Sequence, residues 1–110
     1  METLKANKKY LFKILWSKTY IGIAIDEQYK KNCTIPLTVF YYWPQEDGWK
    51  LLKAELDSKP WMIEKDKQEI LNSYTVIVNY WLVNVNKNIT IQNAEIPDLN
   101  FNILGINSIN

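Results

Sequence analysis

Apolar positions along this chain repeat first by two, then by three and four. In Tyr10–Trp16 (YLFKILW) the alternation is rough: Tyr10, Phe12, Ile14 and Trp16 can share one face of a strand, with Leu11, Lys13 and Leu15 on the other. Residues 20–26 (YIGIAID) alternate better. Ile21, Ile23 and Ile25 face one way; Gly22, Ala24 and Asp26 face the other, where small side chains leave room for something to pack close. Ser17, Lys18 and Thr19 form a short connection, so the spacing predicts an antiparallel hairpin. Residues 27–36 are polar and read as a loop. Residues 37–43 are rich in β-branched and aromatic side chains, which predicts a third strand ended by Pro44.

Beyond Pro44 the period lengthens. Proline suits the first turn of a helix, and Glu46 and Asp47 follow where the helix dipole favours acids. Trp49, Leu52 and Leu56 then recur at helical spacing, which predicts that Trp49 is a core residue. Gly48 within this turn costs about 1 kcal/mol relative to alanine. Ser58, Lys59 and Pro60 end the first helix. The second helix is the clearest element: Ile70, Leu71, Tyr74, Ile77, Val78 and Trp81 form a broad apolar stripe. Asp66 followed by Glu69 resembles a capping box, and the helix can begin as early as Met62. Residues 84–110 change character. Asparagine dominates, the apolar positions keep no period, and the segment reads as a tail that orders on a partner or adds a strand. The expected architecture is α+β: a small antiparallel sheet, made of the hairpin and a third strand, packed against two helices. Residues 1–83 form the domain, its first residues a basic arm, and 84–110 an extended Asn-rich C-terminal tail.

Composition narrows the classes. A chain of 110 residues with 47% hydrophobic side chains fits one domain with a real core, not a disordered chain. No apolar run approaches the ~18 residues of a membrane span. The N-terminal region shows neither the apolar centre of a signal peptide nor an Arg- and Ser-rich transit segment, so the protein is expected to work where it is made, or to have been processed. Cys33 is the single cysteine, which excludes an internal disulfide and fits a reducing compartment. Histidine and arginine are both absent; all 13 basic residues are lysine. Lysine, asparagine and isoleucine are abundant and have A- and T-rich codons, which suggests an AT-rich genome such as an organelle's.

The missing residue types also exclude chemistry. Without histidine there is no Ser-His-Asp or Cys-His arrangement, and one cysteine leaves no zinc site. Three glycines make no phosphate-cradling loop. Glu46 with Asp47, and Glu64 with Asp66, lie among lysines and read as solvated helix faces rather than catalytic pairs. No catalytic residue, metal site, cofactor, membrane contact or small-molecule substrate is expected. Charge is uneven, however: residues 1–35 carry seven lysines against Glu2, Asp26 and Glu27. Lys5, Lys8, Lys9, Lys13 and Lys18 are therefore the candidates for contact with phosphates. Among the aromatics, Trp81 is expected in the core with Trp49. Trp43 and Trp61 each neighbour a proline and can serve packing or a partner. Tyr41 and Tyr42 point to opposite sides of a strand, so one of them faces out. Tyr42, Trp43 and Trp61 are the candidate partner contacts.

The segments PLTVFYYWP, GWKLLKAELDSKPW and EILNSYTVIVNYW resemble the plastid-specific ribosomal protein 3 family, and LFKILWSKTYIGIAID is similar to that family's N-terminal hairpin. The likeness runs from about Tyr10 to Trp81. Its signature is Trp-Pro, a tryptophan five residues later, Ser-Lys-Pro-Trp, and a helix ending in Asn-Tyr-Trp. The resemblance implies a non-enzymatic component of the chloroplast small ribosomal subunit, with relatives in cyanobacteria, in contact with ribosomal RNA and neighbouring ribosomal proteins. It also implies a plastid stromal location and a plastid gene. Two positions depart from the family: Gly48 stands where alanine is usual, and Ile63 where a Ser or Thr cap is common, so the cap is expected to move to Asp66. The competing reading is a non-ribosomal protein-interaction or assembly factor in the plastid, which the weak net charge and the asparagine-rich tail favour slightly.

Overall fold

The structure is a computed structural model that describes residues 9–30, 33–85 and 102–107. β1 (Tyr10–Trp16) and β2 (Ile21–Lys30) form the expected antiparallel hairpin, with Phe12 opposite Ile25, Ile14 opposite Ile23 and Trp16 opposite Ile21. The alternation is realised: Tyr10, Phe12, Ile14, Trp16, Ile21, Ile23 and Ile25 all lie buried on one face. Against that face pack α1 (Gly48–Asp57) and α2 (Glu64–Asn84). Leu52 and Leu56 of α1, with Ile70, Leu71, Tyr74, Ile77, Val78 and Trp81 of α2, close the core. The Trp81 indole N–H donates to the Ser17 carbonyl at 2.8 Å, tying the end of α2 to the hairpin turn.

Three strands depart from the sequence reading. The stretch read as a loop is strand instead: β2 continues to Lys30, and β3 (Cys33–Pro36) pairs antiparallel with it. Its polar composition suits an exposed edge, where alternation carries little burial signal. The third strand is shorter than expected, and β4 comprises only Tyr41–Trp43. β3 and β4 lie end to end along the same side of β2, and Thr38 bridges the gap between them. Its backbone N–H donates to the Ile25 carbonyl, and its hydroxyl oxygen accepts the Ile25 N–H. β5 (Asn102–Asn107) runs parallel to β1, giving the order β3-β2-β1-β5 with β4 beside β2.

The helix starts also differ. Pro44 lies in a turn after a cis Trp43–Pro44 peptide, and Asp47 is the N-cap of α1, its carboxylate accepting the Lys50 N–H at 3.2 Å. The buried stripe of α1 is Gly48, Leu52 and Leu56: Leu52 and Leu56 are as expected, but its first member is Gly48 and not Trp49. Trp49 is therefore not core but 38% exposed. The glycine is the reason: a Cβ at Gly48 would overlap the Tyr74 hydroxyl, so its absence lets the start of α1 press against α2. In α2, Ile63 is the N-cap without a side-chain bond, and Asp66 is not a cap. Asp66 is buried inside the first turn, accepting the Tyr10 hydroxyl at 3.3 Å and lying 3.8 Å from the Lys9 ammonium. Burial, then the Asp66 carboxylate, hold the Tyr10 phenol well above its usual pKa.

Candidate functional site

Strand parity sorts the aromatic run 40–43 onto two sides of the sheet. Tyr41 and Trp43 pair with Ile23 and Ile21 and pack half-buried against the core. Tyr42 pairs with Gly22 and lies on the opposite face, away from α1 and α2. A Cβ at Gly22 would come within 2.7 Å of the Tyr42 ring, so the small residues of β2 do admit a close neighbour, and that neighbour is this chain's own tyrosine. Phe40 stacks against Tyr42 at 6.2 Å, and Tyr20 meets it edge-on at 5.7 Å. The Tyr20 and Phe40 contacts were not legible beforehand; the pairing of Gly22 and Ala24 on one face was the signal available.

The candidate lysines among the described residues do not form one patch. Lys5 and Lys8 lie outside the described residues. Lys9 precedes β1 and sits beside Asp66, with its ammonium 5.6 Å from the Tyr10 ring centre. Lys13, in mid-strand, pairs with the buried Asp26 at 3.1 Å and reaches over the Phe40 ring at 5.8 Å. Part of its charge is thus neutralised within the chain. Lys18 is exposed in the β1–β2 turn, and no ion pair among the described residues involves it. Lys9 and Lys18 stand at opposite ends of a strand about 20 Å long.

Of the candidate partner contacts, Tyr42 is on the open sheet face and Trp43 on the helix side. Trp61, at the α1–α2 junction, is 56% exposed beside an equally exposed Ile63. The corner after β4 is acidic. Burial pushes the Tyr74 phenol up to about 12, with Asp47 and Glu46 adding to the shift. Burial and Glu55 raise Tyr41, whose hydroxyl donates to Glu55 at 3.4 Å.

Residues 37–84 match the family described as plastid and cyanobacterial ribosomal protein (PSRP-3 / Ycf65). The chain is 41% identical over 99 residues to the small ribosomal subunit protein cS23 of Gracilaria tenuistipitata var. liui, covering 90% of this chain and 98% of that one. The chain belongs to this family. A second relative, the small ribosomal subunit protein cS23 of Cyanidium caldarium, is 41% identical over 84% of this chain and 93% of its own length. A third, from Synechococcus sp. (strain JA-2-3B'a(2-13)), named probable small ribosomal subunit protein cS23, is 41% identical over 91% of this chain and 98% of its own length. The matched segment 37–84 holds β4, both helices and the aromatic corner, so the family pattern coincides with the part of the fold that joins helices to sheet.

Proposed function

We propose that this chain is a structural component of the small ribosomal subunit in a plastid, acting as a scaffold between ribosomal RNA and neighbouring ribosomal proteins. What supports the reading is its likeness, over nearly the whole chain, to proteins named for that subunit. The rRNA contact falls to Lys5, Lys8, Lys9, Lys13 and Lys18. Lys18 is the best placed, because it is exposed on a turn that Trp81 anchors to α2. A lysine meets phosphate as a point charge, so it positions the RNA backbone and does not read bases. Tyr42, Trp43 and Trp61 are the contacts for protein neighbours. The gene is expected in the plastid and the product in its stroma.

Sedimentation tests this. The full chain should co-sediment with plastid small subunits, and Lys18→Glu should weaken that binding and lower its salt slope by roughly 1. A chain that stays at the top of the gradient would refute the ribosomal role. An unchanged salt slope would remove Lys18 from the RNA contact. The exposed pair Trp61 and Ile63 also suits a free assembly factor that binds protein alone. Crosslinking on intact subunits separates the two readings: absence of any RNA adduct favours the assembly factor.

A further inference from the structure

An open groove of about 310 Å³ is lined, among the described residues, by Tyr20, Tyr42, Gln45 and Glu46. Its aromatic wall is fixed. The Tyr42 ring rests on the Gly22 backbone, stacks on Phe40 and meets Tyr20 edge-on. Its acidic wall is tied to the same residue twice. The Glu46 N–H donates to the Tyr42 carbonyl at 3.3 Å, and the Glu46 carboxylate accepts the Tyr42 N–H at 3.4 Å. One carboxylate oxygen is left over, and no ion pair among the described residues uses Glu46.

We propose that this groove receives an arginine side chain from a basic segment of a neighbouring ribosomal protein. The groove offers two phenol rings, an amide and a carboxylate, with Asp47 next in sequence, and no cation among the described residues lines it. A nucleotide would bring its phosphate against that negative charge. Lys18, two residues before Tyr20, is not among the lining residues. A guanidinium suits every wall: its flat face stacks on tyrosine and its fork meets carboxylate and amide oxygens. Lysine lacks the plane and the fork. This chain has no arginine of its own, so the group must come from another protein. The inference rests on the ribosomal reading only for who that neighbour is.

The test titrates the full chain with a blocked glycine-arginine-glycine peptide and follows the tyrosine ring resonances. The Tyr20 and Tyr42 rings should shift saturably, with the lysine counterpart at least roughly fivefold weaker. Glu46→Gln keeps the acceptor for the Tyr42 N–H and removes the charge. It should weaken the arginine peptide roughly tenfold while leaving the unfolding midpoint in place. The proposal is overturned if the rings do not shift saturably, if lysine binds as well, or if Glu46→Gln binds equally. Oligouridylate shifting the same rings at lower concentration overturns it too, in favour of RNA. Co-sedimentation with small subunits is a separate readout, whose loss strikes the ribosomal reading while the titration alone decides the groove.

Discussion

Gly48→Ala gives the sharpest test of how α1 meets α2. The substitution would ordinarily help a helix, by up to about 1 kcal/mol and less in a first turn. Here the new methyl would overlap the Tyr74 hydroxyl and lie 2.9 Å from the ring carbon that bears it. Tyr74 is 2% exposed, and its hydroxyl has no hydrogen-bond partner among the described residues. Overpacking of this kind costs about 1–3 kcal/mol. The expected net loss is therefore about 1–2 kcal/mol. Tyr74→Phe removes an unpaired buried hydroxyl and should be neutral or stabilising, since such a group costs about 1–3 kcal/mol to bury. With the oxygen gone, only the ring edge opposes the alanine methyl. The double variant should then exceed the sum of the two singles by at least about 1 kcal/mol. Urea unfolding followed by circular dichroism and tryptophan fluorescence measures all four proteins, provided the slope with urea stays constant. A Gly48→Ala protein as stable as its parent, or a coupling within about 0.3 kcal/mol of zero, would refute the packing argument.

Three further outcomes follow from the same contacts. Trp81→Phe leaves the Ser17 carbonyl without the indole donor and should cost about 1–3 kcal/mol, with faster amide exchange in the β1–β2 turn; a loss under about 0.5 kcal/mol would contradict it. Trp49→Ala should cost less than about 1.5 kcal/mol, because the ring is partly exposed, whereas Leu56→Ala should cost about 2–5 kcal/mol; chemical denaturation showing the reverse order would restore Trp49 to the core. Stability should fall as pH rises from the ordinary tyrosine value near 10 to about 12. Tyr74 is raised to about 12 in the fold, and an unfolded chain that loses its phenol protons first is favoured there. Tyr74 alone accounts for about 2 kcal/mol by the top of that range, so Tyr74→Phe should blunt the alkaline loss, and an unchanged loss would show that Tyr74 is not responsible.

The hairpin and α2 were legible because burial on one face imposes a period. Tyr10 to Trp16, Ile21 to Ile25 and the Ile70 to Trp81 stripe all have large apolar residues at the repeating positions. α1 misled because its innermost residue is a glycine. Hydrophobic periodicity weighs side chains, and Gly48 contributes by having none. The eye therefore takes the adjacent Trp49 as the first member of the stripe. β3 escaped because both its faces are largely exposed; an added strand was one of two expectations for 84–110, but its parallel partner β1 is far away in sequence, which no local pattern can announce. Of the candidate site, the charge bias toward the N-terminal third was visible. That Asp26 partly neutralises Lys13, and that Glu46 turns back onto Tyr42, depend on contacts across the sheet and around a corner.

The aromatic run at residues 40–43 is a single cluster in sequence and two devices in space, and the period-two geometry of a strand is what divides it. Tyr41 and Trp43 secure the short strand to the core, while Phe40 and Tyr42 cover Gly22 on the opposite face. Core packing thereby falls on one pair of alternate residues only, so the outer pair can change without altering the core. The arrangement depends on register. A slip of one residue between β4 and β2 would carry Trp43 onto the opposite face and bring Tyr42 into the core. Three features oppose that slip. Gly22 admits the Tyr42 ring where β-carbons elsewhere would not, Thr38 holds the chain to Ile25, and Glu46 closes the turn onto Tyr42. All three lie within or beside the segment that follows the family pattern, or face it across the sheet. Gly22, Thr38 and Glu46 are therefore what keeps the two aromatic pairs on their own sides.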